Sequence, residues 1–332
     1  MSSERLHVVA LGSNLGDRLR YLDTALAMID RLPGASVVAA SRVYTSAGWG
    51  REDLDPFLNA VIVVRDGQCD PRAFLGELRR IEDALGRQRI EKWGPRTLDL
   101  DLLASDDTES DDQELALPHP WIARRPFVYL PFREVADLHP AWGPLCEAHA
   151  DGLAIERETE PGDLGHPVWG GRSGPSISVR AICATEEDTE SLGRELSRHL
   201  LPGDLVALDA PMGAGKSVLA RGIARGLGIE GPVQSPTYTL CRTYDTGSIP
   251  FEHWDFYRLD SRDDLASAGY EAGGAAHAIR AVEWAERFAD QLGPLLLHMH
   301  IDIDSTERRL VNAMSPTGSL PFAARRIMEA RA

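Results

Sequence analysis

Apolar residues follow two rhythms along the chain: short runs that suit strands, and three-to-four-residue spacings that suit amphipathic helices. Leu6–Leu11 and Val61–Val64 are nearly continuous apolar runs and predict strands. Leu19–Leu32 and Arg72–Leu85 carry the helical spacing. In Leu98–Leu103 leucine alternates with aspartate, which predicts a strand with one buried and one acidic face. Further along, Thr185–Leu200 predicts a helix, Leu205–Asp209 a strand entering a glycine-rich loop, and Ser217–Leu227 the next helix. His253, Asp255 and Tyr257 alternate on another expected strand, and Ala278–Glu283 is an apolar stretch that ends on a carboxylate. Between the two groups lies TEPGDLGHPVWGGRSGPS (159–176), dense in Gly and Pro and without either rhythm, which reads as a linker. The expected division is therefore a domain over 1–158, a linker over 159–176 and a domain over 177–332. The acidic run SDDTESDDQE (105–114) reads as a solvated loop.

Composition supports two domains. A chain of 332 residues exceeds the usual size of one domain, and two of roughly 150 residues fit the common range. Hydrophobic content of 43% and charged content of 26% suit soluble globular protein. A net charge of −16 argues against a large direct nucleic-acid surface, which needs clustered Lys and Arg. Cys69, Cys146, Cys183 and Cys241 show no metal-type spacing and read as reduced thiols. With neither a leader-like start nor an apolar run of membrane-spanning length, the expectation is a cytoplasmic protein with no membrane partner.

Two separate groups of residues suggest phosphate chemistry. In the first, Asp99 and Asp101 stand two residues apart on a predicted strand, so both carboxylates face one side. Paired carboxylates repel unless a cation lies between them, and Mg²⁺ suits oxygen ligands while leaving sites for water and phosphate. Arg96 can meet phosphate with a planar fork. Alone, a D-x-D pair is explained as well by solvated aspartates on a half-exposed strand. The flanking stretches add weight: LGSNLGD (11–17), SRVYTS (41–46), FLNA (57–60), Ile81–Glu82, GRQR (86–89), WGPRTLDLDLL (93–103), LPHP (117–120) and RPFV (125–128).

In this order, over roughly residues 5–140, these stretches resemble the hydroxymethyl-dihydropterin pyrophosphokinase family of folate biosynthesis. The resemblance implies a ferredoxin-like α+β fold and transfer of pyrophosphate from ATP to a pterin hydroxymethyl group. It implies that Asp99 and Asp101 hold Mg²⁺, and that Arg96, His119 and Arg125 contact ATP phosphates with Glu82 near the nucleotide. Asn59 would bond the pterin edge, Phe57 and Phe127 would sandwich its ring, and Thr45 would join the substrate contacts. Arg87, Arg89 and Trp93 would belong to a loop closing over the site.

The second group is APMGAGKS (210–217), where a strand, a glycine-rich loop, Lys-Ser and a helix form a phosphate-loop pattern. Backbone N–H groups and the helix N-terminus wrap phosphates, Lys216 reaches terminal oxygens and Ser217 offers a hydroxyl to Mg²⁺. Ala210 stands where the pattern has its first glycine, so the loop forms only if that position keeps negative φ. Together with VQSPTYTL (233–240), HWDFYRL (253–259) and VEW (282–284), the segment resembles the TsaE family of tRNA threonylcarbamoyladenosine biosynthesis over residues 185–300. That resemblance implies a P-loop NTPase-like α/β fold and Mg-ATP hydrolysis dependent on a TsaD/TsaB-type complex. It implies that Gly213, Ala214, Gly215, Lys216 and Ser217 bind phosphates, and that Ser217, Asp255 and Glu283 surround the metal. Thr237 would lie near the γ-phosphate, and Trp284 would contact nucleotide or partner. The main expectation is a bifunctional enzyme. One alternative is an active pyrophosphokinase joined to a hydrolytically weak interaction module. A small-molecule kinase in the second half ranks last, for want of an Arg-rich lid.

Overall fold

The computed structural model describes residues 4–46, 55–67, 70–86, 96–147, 159–162, 169, 171–172, 174, 178–270, 276–293, 295–315 and 320–332. It divides into two compact units, Met1–Gly174 and Pro175–Ala332.

The first unit runs β1 (Arg5–Ser13), α1 (Arg18–Asp30), β2 (Ala35–Ala40), β3 (Val43–Ser46), β4 (Phe57–Asp66), α2 (Pro71–Ala84), β5 (Asp99–Ser105), β6 (Ser110–Asp112), β7 (Leu115–Leu117), α3 (Pro126–Arg133), α4 (Gly143–Glu147), β8 (Thr159–Gly162) and β9 (Gly171–Arg172). Its main sheet has the order β5-β1-β4-β2-β9, with β3 pairing both β4 and β8. All the pairings are antiparallel. Strand β4 is central and its apolar run FLNAVIVVRD is buried almost end to end. Val61 and Val63 pack with Val8, Phe132 and the fully buried Trp142. Helix α2 begins where Asp70 accepts hydrogen bonds from the N–H groups of Arg72 and Ala73, the usual use of an aspartate cap.

Two expectations change in this unit. The segment 159–176, expected to connect without strand structure, adds β8 and β9 to the first sheet, because neighbouring strands offer unpaired backbone there. The acidic run contains β6, which turns back onto β7, and Asp112 is held by Arg72 at 2.6 Å.

The second unit runs β10 (Ser178–Cys183), α5 (Glu186–Ser197), β11 (Leu205–Asp209), α6 (Lys216–Gly226), β12 (Cys241–Tyr244), β13 (Phe251–Asp255), α7 (Arg262–Ser267), β14 (Ile279–Glu283), β15 (Leu297–Ile303), β16 (Arg309–Met314) and α8 (Phe322–Glu329). The sheet order is β10-β16-β15-β11-β14-β13-β12. Its centre is parallel: β11 pairs with β14 and β15, and β13 pairs with β14. Parallel strands are covered on both faces, and all five residues of LVALD in β11 are buried accordingly. Helix α5 opens with a reciprocal capping box between Thr185 and Asp188. Tyr257 lies beyond the end of β13, in a turn, because the backbone leaves the sheet after Asp255.

Helices α5 and α6 pack through glycines. A Cβ at Gly222 would meet the Glu190 carbonyl oxygen at 2.1 Å, and one at Gly193 the Leu219 carbonyl oxygen at 2.4 Å. This close approach fixes α6, whose N-terminus carries the glycine loop. Gly222→Ala should therefore destabilise the second unit by about 3 kcal/mol, the upper end of overpacking costs, and weaken anion binding at the α6 N-terminus. Urea unfolding together with phosphate binding would check both effects.

His7 is fully buried and stacked on Phe74 at 4.3 Å between ring centroids, with Asp66 3.8 Å from Nε2. Burial lowers its pKa from 6.5 to about 4, partly offset by Asp66. The folded unit keeps this ring neutral while the unfolded chain takes up a proton below pH 6.5. The stabilisation is thus complete above 6.5 and lost as pH falls towards 4, amounting to about 3 kcal/mol. Urea titrations at pH 7 and 4.5 should show a smaller pH-dependent loss in His7→Leu than in the unaltered chain.

Candidate functional sites

In the first unit, strand β1 brings the predicted residues into one row. Gly12 pairs with Asn59 on β4 and with Asp99 on β5, and Asp101 pairs with Ala10. A Cβ at Gly12 would lie 3.5 Å from Asn59 Oδ1 and 3.8 Å from the Asp99 Cβ, so the glycine keeps the floor between them open. Asn59 is buried and donates through Nδ2 to Ser46 Oγ at 2.9 Å. Phe57 is half-buried at the start of β4, and Thr45 pairs with Leu58 on the adjoining strand.

Asp99 and Asp101 are both partly exposed on β5. Arg96 Nη1 donates to Asp99 Oδ2 at 2.6 Å, while the Arg96 N–H donates to Asn14 Oδ1 at 2.8 Å. Arg125 lies near enough to Asp101 and Asp99 to feel both, although burial is the largest influence and lowers its pKa. Its guanidinium stacks 4.9 Å from the Trp121 ring centroid and 6.0 Å from that of Phe127. The His119 pKa is lowered, first by burial and then by Arg125, against an upward pull from Asp99. Glu82 is 3% exposed and accepts the Leu100 N–H at 2.7 Å, tying α2 to the acidic strand. Asp99, Asp101, Arg96, His119 and Arg125 are thus brought together. Arg87, Arg89 and Trp93 lie outside the described residues. Sequence reasoning passed over Gly12 and Trp121; the glycine stood within LGSNLGD and the tryptophan immediately after LPHP.

In the second unit, the loop after β11 and the ends of β13 and β14 surround a cavity of about 470 Å³. It lies at the carboxyl ends of parallel strands, where open α/β sheets place their ligands. Asp255 and Glu283 are register partners on β13 and β14, so the sheet itself brings these carboxylates side by side. Gly213 and Gly215 have φ of 80° and 113°, values that favour glycine, and Gly215 caps α6. Among the described non-glycine residues, positive φ occurs at Asp106, Leu240, Trp284 and Glu307, so Ala210 keeps negative φ and the loop closes with alanine there. Ala214 is buried beneath the loop rather than facing the cavity.

Lys216 is 5% exposed. Its ammonium donates to the carbonyls of Ala210 at 2.8 Å and Pro211 at 3.1 Å, and lies 3.8 Å from the Trp284 ring centroid. Burial lowers its pKa, opposed by Glu283, Asp255 and Asp209. Ser217 Oγ donates to Glu283 Oε1 at 2.7 Å. Asp255 Oδ2 accepts from Thr237 Oγ1 and from Ser235 Oγ. Trp284 has φ of 59°, an uncommon conformation for a bulky residue, held here by its N–H bond to Leu208. Met212 and Tyr238, at 71% and 89% exposure, also line the cavity. Sequence reasoning missed Ser235 and the packing of Lys216 on Trp284, which follows from two distant segments meeting.

Among the described residues, no three potential His, Cys, Asp or Glu ligands gather into one metal cluster. Each site offers a pair of carboxylates, which fits a cation such as Mg²⁺ that retains water and phosphate oxygens as ligands. Among the described residues, no helix is long and apolar enough to cross a membrane.

These features define a mixed α/β protein of two domains, one carrying an acidic pair with arginines and the other a lysine-bearing glycine loop beside a second acidic pair. The profile of the 7,8-dihydro-6-hydroxymethylpterin-pyrophosphokinase (HPPK) family matches residues 8–137, and that of threonylcarbamoyl adenosine biosynthesis protein TsaE matches residues 183–311. The chain is 41% identical over 128 residues to the 2-amino-4-hydroxy-6-hydroxymethyldihydropteridine pyrophosphokinase of Methylorubrum extorquens, covering 39% of this chain and 80% of that protein. The enzyme of the same name from Bacillus subtilis is 33% identical over 150 residues, 45% of this chain and 89% of its own length. Among solved structures, YdiB from Bacillus subtilis is 26% identical over 43% of this chain and 88% of its own, with a TM-score of 0.36. The chain belongs to the HPPK family through its first domain, which is fused to a TsaE domain.

Nucleotide binding should draw Lys216 away from Trp284 towards phosphate. Adding ATP should therefore change the Trp284 emission, read as the difference between the ATP responses of the full chain and of its Trp284→Phe variant.

Proposed function

We propose that the chain is bifunctional: an ATP-dependent pyrophosphokinase of 6-hydroxymethyl-7,8-dihydropterin joined to a Mg-ATPase that supports tRNA threonylcarbamoyladenosine modification. The observation that carries this reading is that each unit holds its own carboxylate pair with its own cationic side chains. One nucleotide site has no need of both.

The first unit is read as a ferredoxin-like α+β domain. Its reaction forms a bond between the pterin hydroxymethyl oxygen and the β-phosphorus of ATP. The bond from that phosphorus to the oxygen bridging to the α-phosphate breaks, AMP leaves, and the hydroxyl proton passes to solvent. Asp99 and Asp101 would hold Mg²⁺, which when bound neutralises the phosphoryl oxygens. Arg96, Arg125 and His119 would orient the phosphates, with Arg125 kept in place by Trp121 and Phe127. Glu82 would hold the acidic strand behind the nucleotide. Asn59 and Thr45 would address the pterin edge, with Phe57 and Phe127 against its ring. Arg87, Arg89 and Trp93 would close over the site and exclude water.

The second unit is read as a P-loop NTPase-like domain of the cytoplasm. The backbone N–H groups of Gly213 to Ser217 would cradle the phosphates at the α6 N-terminus. Lys216 would meet the terminal phosphates, Ser217 with Asp255 and Glu283 would hold Mg²⁺, and Thr237 would sense the γ-phosphate. A TsaD/TsaB-type complex would be the partner. Direct nucleic-acid binding is not expected. One observation favours the alternative of a hydrolytically weak interaction module. Every charged group of the site already has a partner within the protein: Lys216 has carbonyls and Trp284, Asp255 has hydroxyls, and Glu283 has Ser217. Nucleotide must displace these contacts, which favours slow turnover until a partner binds.

Product counting separates the two halves. With Mg-ATP and hydroxymethyl-dihydropterin, Asp99→Ala or Asp101→Ala should lower AMP formation by about 10³-fold or more, since metal stabilisation supplies several kcal/mol. Lys216→Ala should leave AMP formation intact and remove ADP formation. No AMP from the unaltered chain would overturn the pterin reading. No ADP, even with the partner complex present, would favour the interaction module.

A further inference from the structure

Glu283 ends β14 and is 3% exposed. One of its oxygens, Oε1, accepts two hydrogen bonds. Ser217 Oγ donates at 2.7 Å, and His253 Nε2 lies 2.8 Å away. A carboxylate oxygen only accepts, so Nε2 carries the proton that His253 donates. His253 is fully buried, and its Nδ1 has no hydrogen-bond partner among the described residues. The strand register explains the contact. His253 and Asp255 share one face of β13, while Ala281 and Glu283 share the matching face of β14. Ala281 stands opposite His253, and its small side chain leaves room for the ring to reach diagonally to Glu283.

We propose that His253 is a positioning residue for cation binding in the second unit, acting on Ser217 through Glu283. The proposal rests on the nucleotide reading of that unit. A serine hydroxyl has one hydrogen and two lone pairs. When its hydrogen is committed to Glu283, its lone pairs are left for a cation in the cavity that Ser217 lines. That commitment holds only while the carboxylate keeps its orientation. The Glu283 terminal torsion is broad and two-fold, so a single hydroxyl does little to fix it. The second donor, set rigidly between β12 and β14, fixes the carboxylate plane. It also draws Oε1 towards the sheet and leaves the other oxygen for the cavity. Removing such a partner behind a metal ligand commonly weakens metal binding 10–100-fold.

The opposing explanation is that His253 only fills the sheet and satisfies a buried carboxylate. The two separate on the magnesium dependence of nucleotide binding by the full chain. A fluorescent ATP analogue serves as the probe, and the Lys216→Ala chain gives the signal belonging to the first unit. His253→Ala should raise the magnesium concentration needed for half-maximal binding about tenfold or more, while metal-free binding in chelator stays unchanged. His253→Gln, which retains an N–H able to reach Glu283, should recover most of the loss. AMP formation by the first unit should be unaffected, and an unaltered urea unfolding curve reports that the second unit is folded. An unchanged magnesium requirement in a folded His253→Ala chain would overturn the proposal, as would equal losses of metal-free and magnesium-dependent binding. If His253→Ala does not fold, His253→Gln is compared with the shorter His253→Asn, and equal magnesium requirements would overturn the role. Absence of Lys216-dependent binding in the unaltered chain would overturn the nucleotide reading and this role with it. Lys216-dependent binding with insensitive His253 variants would overturn the His253 role alone.

Discussion

Like charges on neighbouring backbone positions repel, and each half of this chain is arranged so that a pair of carboxylates stays together. In the first unit the pair lies along one strand, two residues apart, with Arg96 bonded to Asp99 and Arg125 close to both. In the second the pair lies across two parallel strands in direct register, with Lys216 near and hydroxyls bonded to each carboxylate. Most of the local architecture serves these arrangements. The open floor at Gly12, the capped start of α6 and the glycine contacts between α5 and α6 all control how closely backbone and cation approach the acids.

The two units solve the same electrostatic problem with different rigidity. The acidic strand of the first is clamped from behind by Glu82 and flanked by β1, while its carboxylates remain partly exposed. In the second, Asp255 and Glu283 are almost wholly buried and bonded to the protein itself. Burial strengthens every such contact and raises the cost of breaking it. On the proposed reading, nucleotide recognition there would be an exchange of partners, with Lys216 leaving Trp284 and two carbonyls for phosphate. Trp284 holds an unfavourable backbone conformation at the centre of that exchange, which is where strain tends to be stored.

Much of the fold was legible in the chain because its hydrophobic periods agree with its local signals. The predicted helix over Leu19–Leu32 forms as Arg18–Asp30, that over Arg72–Leu85 as Pro71–Ala84, and that over Thr185–Leu200 as Glu186–Ser197 with Thr185 as its cap. The Leu–Asp alternation of 98–103 becomes an edge strand whose aspartates share one face. The misreadings occur where pairing is decided by distant backbone. Segment 159–176 has strand partners only because β2 and β3 are close by, and the acidic run turns into a hairpin beside Arg72.

By itself the sequence determined the two-part organisation, the order of the motifs and the residue types able to meet phosphate and cation, because these depend on local period and chemical identity. Only the tertiary structure decided that Ala210 sits at negative φ, that Asp255 and Glu283 are register partners, and that Ser217 and His253 share one oxygen of Glu283. Those facts depend on parallel strands far apart in the chain meeting in one register. No local pattern encodes them, since strand alternation tells which side a residue faces but not which residue stands opposite.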